Sequence, residues 1–139
     1  PPVTRAALLV APELPPRVPA ALATAAPLVM SSRAFDAPWP KTRRLREALQ
    51  AWVDAGNDDP APLWQALADE RLAANAELPD TGVGLALERR LSPAFIRGRD
   101  YGTRASTLIL VAHDGESRIN ERRFGPDGVF EGETVLHGD

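Results

Sequence analysis

The run Ser106 to Ala112 (STLILVA) constrains this chain more than any other segment. Leu108, Ile109, Leu110 and Val111 are apolar at consecutive positions. Successive side chains of a strand point to opposite faces, so a strand with this pattern needs cover on both sides and belongs inside a sheet. Asp114-Gly115 follows as a hairpin signal, and Ser117 to Phe124 reads as the return strand. A two-residue loop sets His113 opposite Glu116 and Leu110 opposite Ile119. The return strand carries Arg118, Asn120, Glu121, Arg122 and Arg123, which predicts a place nearer an edge or solvent. Gly125-Pro126-Asp127-Gly128 makes the next turn, and Val129 to His137 reads as a last strand, completing an antiparallel meander.

Helices precede the meander. Leu45, Ala48, Leu49, Trp52 and Val53 form one apolar stripe at helical spacing, predicting a helix over Lys41 to Asp54. Pro40 stands where a missing N–H costs nothing, and Gly56-Asn57 closes the helix. Asp59 as cap and Pro60 at the first position open a second helix with the stripe Leu63, Trp64, Leu67, Ala68 and Leu72. Leu85 to Leu91 supplies one or two further turns before Ser92-Pro93, and Phe95-Ile96 reads as a short strand. Residues 1–40 hold nine of the 14 prolines, so only short elements fit there: a strand from Thr4 to Ala11, ended by Pro12, and another at Leu28-Val29-Met30. The fold class expected is α+β, with a helix pair packed on the sheet.

At 139 residues the chain is one domain, 1–139, with enough length to bury a core. Cysteine is absent, which excludes a disulfide scaffold, a thiolate metal site and a cysteine nucleophile within this chain. With only His113 and His137, no histidine-rich metal site can form, and no metal is expected. A net charge of −3 argues against a protein built mainly to bind nucleic acid. No apolar run reaches the roughly 18 residues that span a bilayer.

The segment with the most site-like chemistry is Arg97 to Ser106. It gathers Arg97, Arg99, Asp100, Tyr101, Thr103, Arg104 and Ser106 at the mouth of the buried strand, punctuated by Gly98 and Gly102. Arg104 could grip a carboxylate or phosphate, or pair with Asp100 to fix the loop. Asp80-Thr81-Gly82 reads as an anion nest or an Asx turn, and Lys41, Arg43, Arg44 and Arg46 as a phosphate-binding or a solvated helix face. Ser31 and Ser32 have no base nearby in sequence, and His113 and His137 read as a turn flank and a tail. Trp39, Trp52 and Trp64 fit a core or a pocket wall.

Five strings in order, DAPWPK (36–41), ELPDTGVG (77–84), LERRLSPAFI (87–96), YGTRASTLILV (101–111) and ERRF (121–124), resemble the C-terminal half of the transport and Golgi organisation protein 2 family, the NRDE proteins. The resemblance covers about Leu28 to Phe124 and implies half of a four-layer α/β/β/α sandwich similar to the N-terminal nucleophile hydrolases. It also implies that Pro1 is a cut end, with a cysteine nucleophile and several strands on a missing N-terminal half of the same polypeptide. Ser32 stands where the family carries Asn, a residue that in related amide hydrolases helps hold the oxyanion. Arg104 and Tyr101 match the family string, and with Thr103 and Ser106 they are the ligand-binding candidates. Two functions follow from the resemblance. One is hydrolysis of a small acylated amide, a non-peptide C–N bond, by the full-length protein. The other is non-catalytic binding or trafficking of haem or an acyl-CoA-like or lipid-like ligand. Haem enters as a ligand rather than as a resident cofactor, and the expected location is cytoplasmic.

Overall fold

The computed structural model describes residues 3–11, 39–56, 58–112 and 114–138. Ser31, Ser32, His113 and the expected strand at Leu28-Val29-Met30 lie outside them. The elements run β1 (Val3–Ala11), α1 (Pro40–Asp54), α2 (Ala61–Leu67), α3 (Leu85–Arg90), β2 (Ala105–Ala112), β3 (Ser117–Phe124) and β4 (Phe130–Gly138). The four strands form an antiparallel sheet in the order β1-β2-β3-β4, so the α+β class and the meander stand.

The apolar pattern of β2 explains its place. Leu108 is fully buried and Leu110 nearly so, and both join the core made by Leu45, Leu49 and Trp52 of α1 and Leu63, Trp64 and Leu67 of α2. The α1 stripe is narrower than its sequence suggests: Thr42 closes one end of it, whereas Val53 is half exposed. Helix α2 starts one residue later than expected, with the Asp59 carboxylate accepting the Ala61 N–H at 3.0 Å. It stops at Leu67, which leaves Ala68 and Leu72 on the surface. The Trp52 indole N–H donates to the Asp59 carbonyl at 2.6 Å and ties the two helices at their junction.

Three expectations are corrected. Leu110 faces Arg118, and Ile109 faces Ile119, one residue away from the expected register. The Ala112 N–H donates to the Glu116 carbonyl at 2.8 Å, so the loop has three residues and not two, with Gly115 at φ +98 taking the left-handed position such loops require. A slip of one residue exchanges the two faces of a strand. It therefore puts Arg118, Asn120 and Arg122 on the helix-covered face. Secondly, β3 is an inner strand and β4 the edge. The charges of β3 are accommodated there because β4 offers partners: Arg122 pairs with Glu133 at 3.2 Å, and Arg123 donates to Thr134. Thirdly, Phe95-Ile96 forms no strand. Its polar backbone is satisfied one group at a time: the Phe95 N–H by the Asp69 carbonyl at 2.9 Å, and the Ile96 N–H by Thr103 Oγ1 at 2.9 Å.

Helices cover one face of the sheet. On the other, Ile109, Ile119 and Leu136 stand side by side across three strands, and Ile119 and Leu136 are exposed.

Candidate functional site, an aromatic cleft beside Ser106

Where α2 ends over the start of β2, the sheet and the helix layer part to leave a cleft of about 360 Å³. Its walls are Trp64 and Leu67 of α2, Phe95 from the loop after α3, Phe124 at the end of β3 and Phe130 at the start of β4. The three phenylalanines form an edge-to-face chain, with ring centroids 4.9 Å apart for Phe95 and Phe124 and 6.1 Å for Phe124 and Phe130. Local backbone sets each one. Phe95 is held by its N–H bond to Asp69, and Phe124 by an N–H bond to the Arg104 carbonyl at 2.8 Å. A register shift at Arg123/Phe124 brings Phe130 opposite Phe124.

Polar groups sit at defined points of this wall. Ser106 lines the cleft at 2 % exposure, and its buried hydroxyl has no partner among the described residues. A buried hydroxyl without a hydrogen bond costs about 1–3 kcal/mol, so such a group marks a place where a ligand or water completes the structure. The Arg122 guanidinium lies 4.0 Å from the centroid of Trp64 while pairing with Glu133. Glu70, at the rim, is gripped by Arg97 through Nε and Nη2, the latter at 2.7 Å. That grip holds the Glu70 carboxyl below its ordinary range against the opposing effect of desolvation. Arg97 also donates to the Asp127 carbonyl at 2.6 Å and thereby pins the turn before β4 to the loop before β2. Its neighbour Asp69 is desolvated, which alone would raise its carboxyl, but hydrogen bonds from Arg71 and the charges of Arg44 and Arg71 bring it below the usual range.

The sequence-predicted residues fall into separate places. Ser106 is in the cleft, whereas Tyr101, Thr103 and Arg104 are not among its lining residues. Thr103 is buried and clasps Ile96 in both directions, its N–H to the Ile96 carbonyl at 2.8 Å and its hydroxyl oxygen accepting from the Ile96 N–H. Tyr101 is largely exposed. Arg104 donates to the Arg99 carbonyl at 3.2 Å, and its buried Nη1 has no partner among the described residues; no ion pair with Asp100 forms. Asp80 accepts the Gly82 N–H at 3.1 Å in an Asx turn. The basic residues of α1 hold the following loops: Arg43 pairs with Glu77, Arg44 with Asp69, and Lys41 donates to the Leu91 carbonyl at 2.9 Å. Burial lowers the Lys41 ammonium, and the Glu88 carboxylate offsets this in part. Glu88 itself is buried in α3 and accepts both the N–H and the hydroxyl of Thr81.

Phe95, Phe124, Phe130 and Arg122 were not legible as site residues. Each phenylalanine borders a turn rather than an amphipathic run, and Arg122 is one of several arginines on a polar strand. Among the described residues no group of three His, Asp or Glu side chains is placed to hold a metal ion, and no helix is long and apolar enough to cross a membrane.

No curated protein matches the chain. The family model described as transport and Golgi organisation 2 matches residues 13–126, which span α1, α2, α3, β2, β3 and the turn after β3. By that match the chain belongs to the transport and Golgi organisation 2 family.

Proposed function

We propose that this chain forms the binding wall for a small ligand with an apolar body, seated among Trp64, Phe95, Phe124 and Phe130 and anchored at its polar point by Ser106. The observation that carries the reading is the buried Ser106 hydroxyl, which lines an aromatic cleft and has no partner among the described residues. Ligand sites are apolar concavities of roughly 300–1,000 Å³ with a few placed polar groups, and this one lies at the lower end of that range. A short acyl chain or one or two fused rings suits it better than a tetrapyrrole, which favours the acyl-type over the haem-type ligand. The amide hydrolysis that the resemblance implies takes its cysteine nucleophile from outside these residues, so the role proposed for them is binding.

The sheet face that no described helix covers supports the layered part of the reading. A sheet with helices on one side and the row Ile109, Ile119 and Leu136 open on the other has the makings of one half of an α/β/β/α sandwich, whose second sheet would cover that row.

Titration of the chain with a short-chain acyl probe, followed by tryptophan fluorescence, tests the binding. Saturable quenching is expected, with the signal lost in Trp64→Phe and affinity reduced about tenfold in Phe124→Ala, in line with the loss of one well-packed aromatic contact. Absence of saturation up to the solubility of the probe, in a sample that melts cooperatively, refutes it.

A further inference from the structure

The aromatic cleft does not end at Arg122. Trp64, Arg122 and Glu133 also line an adjoining open trough, where Asp59, Arg118 and Asn120 stand with Pro60 and Ala61 of the α2 start. Arg122, stacked on Trp64 and paired with Glu133, therefore borders both and forms the partition between the aromatic cleft and the more polar trough.

The polar compartment carries two unmet hydrogen-bonding groups. Asn120 is 8 % exposed, and its buried Oδ1 accepts nothing among the described residues. Arg118 Nε is buried and donates to nothing there. Both residues lie on β3, two apart and on one face, about 7 Å from each other along the strand. One group seeks a donor and the other an acceptor, within the reach of a single functional group. The charges around them balance, with Arg118 and Arg122 against Asp59 and Glu133. That balance favours a neutral dipolar head over an ion.

We infer that the trough is a head-group subsite for an amide: the ligand's N–H donates to Asn120 Oδ1, its carbonyl accepts from Arg118 Nε, and its apolar body passes the Arg122–Glu133 partition into the aromatic cleft. The inference rests on the cleft binding an apolar body, and it names the head that such a ligand carries.

The test uses three probes of equal chain length, a primary amide, a methyl ester and a carboxylate, each titrated calorimetrically into the intact chain. The amide is expected to bind about tenfold more tightly than the ester, which keeps the carbonyl but has no N–H to offer. Asn120→Leu removes that preference, bringing amide and ester to similar affinity. Arg118→Met, at a partly exposed position, weakens amide and ester alike, and serves if the buried Asn120 variant fails to fold. Equal binding of all three probes, or tightest binding by the carboxylate, overturns the amide head while leaving the apolar cleft intact. Binding by none of them overturns both.

Discussion

Gly102→Ala should destabilise the protein through a contact that involves no side chain of the wild type. A Cβ built on Gly102 meets the Ile96 carbonyl oxygen at 2.7 Å and the Gly98 backbone at 3.1 and 3.2 Å. All three atoms are backbone, so relief requires the loop 96–103 to open. Opening stretches the two bonds that join Thr103 to Ile96, at 2.8 and 2.9 Å. Each is worth about 1 kcal/mol net, and each leaves a buried partner unsatisfied if it breaks, which sums to roughly 2–4 kcal/mol. For a domain of this size that is a fall in Tm of about 10 °C. Gly82→Ala is the comparison: φ is +85 there but nothing lies within 4 Å of the new Cβ, so only the left-handed backbone penalty of about 1–2 kcal/mol applies. Urea unfolding measures both, and amide hydrogen exchange at Thr103 reports the loop itself. The reasoning is refuted if Gly102→Ala unfolds within 0.5 kcal/mol of the wild type, or if it costs less than Gly82→Ala with unchanged protection at Thr103. A cost of the expected size explains the glycine of the Tyr101-Gly102-Thr103-Arg104 string by crowding and not by ligand access.

Leu108→Ala empties a fully buried position between the sheet and both helices and should cost about 2–5 kcal/mol by denaturant melts; a cost under 1 kcal/mol would show that the helix layer does not rest on β2. Asp69 and Glu70 both have carboxyls lowered in the folded state, so the stability they supply is complete above the ordinary carboxylate pKa near 4 and is lost as pH falls through their lowered values. Asp69→Asn should therefore flatten the acid limb of Tm against pH below about 5, and identical slopes for variant and wild type would contradict the assignment.

The elements were legible in the sequence wherever local signals sufficed. Consecutive apolar residues in β2, Pro40 at the start of α1 and the Leu45–Leu49–Trp52 stripe each act over a few residues, and each led to the right place. The register was not legible, because Asp114-Gly115 suits a two-residue turn and the end of a three-residue one equally well. Which occurs depends on the Ala112–Glu116 bond, a pairing that forms only with the whole hairpin. The cleft was hidden for the same reason. Ser106 was singled out for its position at a strand mouth, but its aromatic surroundings come from α2, the loop after α3, β3 and β4, and nothing in their separate strings announces that they meet. Arg104 shows the converse: its family string is intact, yet its guanidinium donates to the Arg99 carbonyl and it does not line the cleft.

The pairing of β1 with β2 places Leu8 opposite Leu108, a hundred residues further along the chain. Closing a loop of that length costs about 3 kcal/mol more in chain entropy than closing the three-residue hairpin between β2 and β3. Chain entropy therefore favours closing the C-terminal hairpin first and docking β1 late. Synthesis runs the other way. At roughly 5–20 residues per second, the first strand waits about 5–20 seconds for its partner to be made. Through that interval the apolar segment Ala6 to Val10 lacks β2, the strand with which it pairs in the fold.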